Sequence, residues 1–146
     1  MNKINILFVC TGNTCRSPMA EELLKAKAGE RFEVQSAGIF ASPGYPASEG
    51  TAQVLKNRNL DIQNHQARLL TEELLDWADY VLTMTENHKS HILQQYSDEQ
   101  EKIHSLSSFL GQAGEVVDPY GGPVEIYEMT AQQLDELLNQ LIHKLS

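Results

Sequence analysis

The segment from Ile4 to Met19 constrains this chain more than any other. An apolar run, Ile4-Asn5-Ile6-Leu7-Phe8-Val9, reads as a buried strand. It leads through Cys10-Thr11-Gly12-Asn13-Thr14-Cys15-Arg16-Ser17-Pro18 into a helical pattern that begins at Met19 and ends near Gly29. Ala20, Leu23, Leu24 and Ala28 share one face of that helix, Pro18 suits its first position and Ser17 its cap. A strand that turns tightly into a helix is the opening unit of a parallel α/β sheet. In such sheets ligands bind outside the carboxyl ends of the strands. Cys10 stands at one of those ends.

The alternation continues. Phe32 to Ala37 reads as a second strand, followed by a Gly/Pro/Ser-rich loop from Gly38 to Pro46 and a helix from about Ala47 to Asn57. Thr71 to Ala78 is a short helix, Tyr80 to Met84 a buried strand, and Glu86 to Tyr96 a helix. A strand near Ile103 to Leu106 precedes Val116-Val117 and the turn-rich Asp118-Pro119-Tyr120-Gly121-Gly122-Pro123. Leu134, Leu137, Leu138, Leu141, Ile142 and Leu145 repeat at helical spacing, so the last helix packs on the core. Strands alternating with helices predict one α/β domain over residues 1–146, its parallel sheet covered on both faces.

Bulk numbers exclude several classes of function. The chain has 146 residues with 41% hydrophobic and 21% charged, a globular composition. Its formal net charge is −9 and it has no run of basic residues, so neither nucleic acid nor an anionic membrane is expected as partner. The N-terminal apolar run is too short for a signal peptide or a membrane span. The two cysteines, five positions apart, suit neither a structural disulfide nor a zinc site. A cytoplasmic protein without metal or cofactor is expected.

The loop from Cys10 to Arg16 has a definite chemistry. The thiolate, not the thiol, is the nucleophile, and a helix N-terminus alone stabilises an anion by only about 0.3 to 2 kcal/mol. The remainder must come from converging backbone N–H groups, from Arg16, and from hydroxyls such as Thr14 and Ser17. Gly12 and Asn13 are residue types that accept positive φ, which turns N–H groups inward. The same donors fit the non-bridging oxygens of a phosphoryl group, and the planar fork of Arg16 can hold two of them. Cys10 would then attack phosphorus to give a phosphocysteine that water hydrolyses. Taken alone, Cys10 reads as a buried strand-end thiol; Cys-x5-Arg-Ser at a strand–helix junction reverses that balance.

On these residues the chain resembles the low-molecular-weight protein tyrosine phosphatases. Cys10, Cys15, Arg16, Ser17 and Pro18 match the signature, and Ser36-Ala37-Gly38 and Asp118-Pro119-Tyr120 follow in the expected order. The resemblance implies a three-layer αβα sandwich, a four-stranded parallel sheet, and a phosphate-binding loop between the first strand and first helix. It implies Cys10, Arg16 and Asp118 as catalytic residues, Asp118 being the general acid and then base. It places Thr11, Gly12, Asn13, Thr14, Cys15, Ser17, Phe40 and Tyr120 about the substrate, with Ser36, His65 and Asn13 bracing the loop. His88, His91, His104 and His143 read as surface or core residues, and Trp77 and Tyr80 as packing.

Two departures bear on the substrate. Tyrosine-specific members commonly carry two successive aromatics after Asp-Pro, where this chain has Tyr120-Gly121-Gly122. They commonly carry a bulky aliphatic residue where this chain has Thr14. Cys-Thr-Gly-Asn-Thr-Cys-Arg-Ser-Pro-Met-Ala-Glu, with Asp-Pro-aromatic-Gly-Gly and Phe40-Ala41-Ser42-Pro43, resembles the bacterial protein arginine phosphatases. The resemblance implies phosphoarginine proteins as substrates, with phosphotyrosine as the alternative, and a role in stress response. A monomer is expected. An arsenate reductase would need further relay cysteines, and a phosphocarrier or a non-catalytic binding module would have no use for Arg16 together with Asp118. Cys15 reads either as a small packing residue or as the partner that caps an oxidised Cys10.

Overall fold

The computed structural model describes residues 2–146. Strands β1 (Ile4–Cys10), β2 (Phe32–Gly38), β3 (Tyr80–Thr83) and β4 (Ile103–Ser105) form one parallel sheet in the order β2-β1-β3-β4. The helices are α1 (Arg16–Ala28), α2 (Glu49–Lys56), α3 (Glu72–Trp77), α4 (Glu86–Gln95), α5 (Leu106–Phe109) and α6 (Val124–Lys144). The four parallel strands, the two covering layers and the loop after β1 are those expected from the sequence.

Period-two alternation in β1 divides the core. Ile6, Phe8 and Cys10 face the layer of α1, α2 and α6, where Leu24, Leu55, Leu134 and Leu138 are buried. Leu7 and Val9 face the layer of α3 and α4, against Leu75 and Ile92. With both faces covered, a central strand has no exposed side, and Ile6 through Val9 are fully buried. From β1 the chain passes to β2 on one side and later to β3 on the other, so the strand order reverses between β1 and β3. Loops on either side of that reversal splay apart and leave a crevice at the strand ends. The loop after Cys10 occupies it.

Two boundaries differ from expectation by three residues or more, and the short helix α5 (Leu106–Phe109) was not expected. Helix α1 begins at Arg16, with Cys15 at its cap and Pro18 two residues inside it. Ser17 is therefore no cap: its hydroxyl is drawn inward, where it meets the Cys10 thiol. Helix α6 begins at Val124, ten residues before the leucine repeat, because Tyr127, Thr130 and Ala131 extend its buried face without adding leucines. Elsewhere the caps behave as their residue types require. Ser48, Thr71 and Thr85 each accept a backbone N–H from the first turn of α2, α3 and α4.

Candidate active site

The loop is shaped from outside through its carbonyls. Ile39 N–H donates to the Cys10 carbonyl at 3.0 Å and Phe40 N–H to that of Thr11 at 2.9 Å. His65 Nε2 meets the Asn13 carbonyl at 2.7 Å, which makes that ring nitrogen the donor. Ser48 N–H donates to the Thr14 carbonyl at 2.9 Å, and the Thr51 hydroxyl to that of Cys15 at 3.3 Å. In a trans peptide the following N–H points opposite to the carbonyl, and among the described residues there is no cis bond. With these carbonyls drawn outward, the N–H groups of Thr11, Gly12, Thr14, Cys15 and Arg16 face the loop interior. The result is a ring of donors at a helix N-terminus, a ready anion site.

Asn13 holds the centre of this curl. It takes the left-handed conformation, φ 58°, whereas Gly12 does not. The positive φ expected of both residues thus falls on Asn13 alone. Its side chain donates to Ser17 Oγ and to Ser36 Oγ, both at 2.9 Å, and accepts from Arg68 N–H at 3.0 Å. Ser36 in turn donates to Glu21 at 2.6 Å, and Ser17 Oγ lies 2.9 Å from Cys10 Sγ. A chain of hydrogen bonds, buried from Ser36 inward, therefore runs from the half-buried Glu21 through Ser36, Asn13 and Ser17 to the thiol. Gly38 permits the close approach behind it, since a Cβ there would lie 2.5 Å from the Thr11 carbonyl oxygen and 2.9 Å from Asn13 N.

In front of the loop is a cavity of about 210 Å³, walled by Cys10, Thr11, Gly12, Thr14, Arg16 and Asp118, with Tyr120 at its rim. At roughly 30 Å³ per water it holds about seven water volumes, enough for a phosphoryl group and the head of a side chain. A larger cleft of about 600 Å³, lined in part by Glu21, Ser36 and His65, backs the loop and has no cysteine in its lining. Burial raises the Glu22 carboxyl in that cleft above the usual carboxylate range.

Arg16 is buried and spans the site. Its Nη1 donates to the Val116 carbonyl at 3.2 Å, while Nη2 lies 3.6 Å from Asp118 Oδ2. The two partners differ sharply in exposure, 6% for Arg16 and 57% for Asp118, so a fixed cation faces a solvent-accessible carboxylate. Asp118 Oδ1 accepts Tyr120 N–H at 3.1 Å, an Asx-type turn that aims the carboxylate at the cavity. Tyr120 itself is 79% exposed.

Of the residues expected about the substrate, Thr11, Gly12, Thr14, Cys15 and Tyr120 line this cavity. Asn13 and Ser17 are buried behind it and act through the loop. Phe40 is 65% exposed and lies outside the cavity, its ring packed edge-on against His91 at 4.8 Å. Cys15 directs its thiol toward Ser48 and Tyr127, at 3.3 and 3.6 Å. Ser36 and His65 both hydrogen-bond to Asn13 of the loop. Glu21, which closes the motif that begins at Cys10, also contacts this network, as do Ser48, Tyr127 and His88, which no motif or spacing in the sequence singled out. Among the described residues no group of His, Cys, Asp and Glu could hold a metal ion, and no helix is long and apolar enough to cross a membrane.

Fold and site together define a phosphoprotein phosphatase built on a cysteine-bearing phosphate loop. Residues 5–146 match the family model described as low molecular weight phosphotyrosine protein phosphatase, and the chain belongs to that family. A protein-arginine-phosphatase of Geobacillus stearothermophilus is 43% identical over 141 residues, covering 96% of this chain and 95% of the relative. Another protein-arginine-phosphatase, from Bacillus subtilis strain 168, is 44% identical, with 97% of each chain covered. A solved low molecular weight protein tyrosine phosphatase from T. tengcongensis superposes with a TM-score of 0.94 at 46% identity, covering 97% of this chain and 99% of that one.

Proposed function

We propose that this protein hydrolyses phosphoarginine in proteins, with Cys10 as nucleophile and Asp118 as general acid and then base. The inward N–H groups and Arg16 receive the phosphoryl oxygens, leaving Cys10 beneath phosphorus. Attack forms the S–P bond as the P–N bond breaks, and Asp118 supplies the proton that the departing guanidine takes up. The resulting carboxylate then accepts a proton from the water that displaces Cys10, releasing phosphate and restoring the acid.

The observation that carries this reading is Thr14 in the wall of the same cavity as the Arg16–Asp118 pair. Guanidine is a strong base, with a conjugate-acid pKa above about 12, and leaves poorly unless protonated. A phenol, at about 10, depends on the acid less. A carboxylate also matches the donor fork of a guanidinium, and a small hydroxyl at position 14 leaves room for that planar group. Two relatives bearing the name protein-arginine-phosphatase, at 43% and 44% identity, support the same substrate. Asp118→Asn tests it: kcat on a phosphoarginine peptide should fall about a hundredfold or more. An unchanged kcat would remove Asp118 from the mechanism.

A further inference from the structure

His88, on α4, is 5% exposed, and its Nε2 lies 2.9 Å from the hydroxyl of Thr11. Its other ring nitrogen, Nδ1, is buried without a hydrogen-bond partner, the one such side-chain atom among the described residues. The imidazole is therefore tied to the phosphate loop and to nothing else through its side chain. Thr11 is itself one of the residues that line the cavity over Cys10.

We propose that His88 is a positioning residue that donates its Nε2–H to Thr11 Oγ1, so that the Thr11 hydroxyl hydrogen is left to donate to a phosphoryl oxygen bound over Cys10. This deepens the reading of the site as a phosphatase loop and rests on it.

The tautomer follows from the orphaned Nδ1. A proton on Nδ1 would bury an N–H donor with no acceptor, which folded proteins avoid more strictly than an unfilled acceptor. A protonated ring would carry the same unpaired donor plus a charge. Burial, then the neighbouring Arg16, push the His88 pKa down to about 4, and His91 acts in the same sense. Glu115 and Asp118 oppose them without reversing the shift. The ring accordingly stays neutral at neutral pH, with its proton on Nε2.

A hydroxyl has one hydrogen and two acceptor positions. When His88 fills one acceptor position, Thr11 is left with a hydrogen to give. Thr11 then adds a side-chain donor to the ring of backbone donors, without adding a charge. A donor there gains strength as negative charge spreads over the phosphoryl oxygens in the transition state, so its loss should appear in kcat more than in KM.

Two measurements on the full chain decide this. Long-range 1H–15N NMR of the 15N-histidine-labelled protein should show His88 neutral and protonated on Nε2 from pH 5.5 to 8; an Nδ1–H tautomer or an imidazolium would overturn the proposal. In steady-state kinetics on a phosphoarginine peptide, Thr11→Val and His88→Leu should each lower kcat about tenfold. The double variant should lose no more than either single one, and His88→Gln, which keeps an N–H near the Nε2 position, should recover most of the rate. Losses that multiply in the double variant, or no recovery by Gln, would mean that His88 only packs. Should His88→Leu fail to fold, the NMR tautomer and the kcat of Thr11→Val decide, with an unchanged kcat counting against it. A wild-type protein inactive on both the phosphopeptide and an aryl phosphate would sink the phosphatase reading itself, while the NMR result would still judge the tautomer.

Discussion

On the proposed reading, the single side chain of Thr14 decides what the cavity accepts. Thr14 and Asp118 both line the cavity, and on that reading a larger aliphatic group at position 14 would close the space a guanidinium needs and offer an apolar face to an aromatic ring. Thr14→Ile should therefore shift the ratio of kcat/KM values about tenfold toward phosphotyrosine peptides. A ratio that does not move would show that specificity lies elsewhere. His88 carries a second residue-scale prediction, this one on stability. Its folded pKa, about 4, lies below the 6.5 of an unfolded histidine, so the unfolded chain binds the extra proton. The stabilisation is fully present above pH 6.5, falls as pH drops toward 4, and levels off below. Comparing Tm of wild type and His88→Gln across that window isolates it, with an expected convergence on the order of 1–2 kcal/mol toward pH 4. A constant difference would contradict the shift. His88 also shows where sequence reading stopped: a histidine on a helix seventy-seven positions from Thr11 gives no local sign of their contact. Ser48 and Tyr127 were hidden for the same reason, each ordinary in its own helix or cap.

Elements were more legible than contacts. Strand and helix alternate in period as well as in order, so β1, β2 and β3 and the cores of α1, α2, α4 and α6 could be placed from hydrophobic pattern alone. The start of α6 could not, because its first turns bury Tyr127 and Thr130 rather than leucine. Close approaches between elements were equally silent in the sequence. Gly38 at the end of β2 reads as a loop residue, yet it is the surface on which the phosphate loop rests. Gly38→Ala should push the Thr11 and Asn13 backbone aside, costing about 1–3 kcal/mol of stability and lowering kcat at least tenfold. Wild-type kcat with intact folding would show that the loop tolerates the shift. Between α2 and α6 the geometry is forgiving. Arg58 meets Glu128 in a bidentate pair at 2.9 and 2.7 Å, which raises the Arg58 pKa and lowers that of Glu128. The pair is partly exposed, so Glu128→Gln should cost only about 0.5–1 kcal/mol in denaturant unfolding, without altering kcat.

On the scale of the whole molecule the net charge of −9 sets the terms of approach. An acidic surface repels phosphoryl groups at distance, and the basic segments in which arginine occurs offset that repulsion. For a phosphoarginine peptide flanked by lysine, kcat/KM should fall several-fold as salt rises from about 10 mM to 0.5 M, where the Debye length shrinks from roughly 30 Å to a few ångströms. A peptide with neutral flanks should change much less, and equal salt responses would remove long-range attraction from the account. The architecture that carries the site was implicit in the first strand and loop, since a nucleophile at the end of a central parallel strand has only the switch-point crevice to occupy. Substrate choice is written in far fewer atoms, and it is there that the reading stands most exposed. Values of kcat/KM measured side by side on phosphoarginine and phosphotyrosine peptides of one sequence test it most directly. A ratio of at least about tenfold in favour of phosphoarginine is expected. Equal values, or a preference for phosphotyrosine, would contradict it.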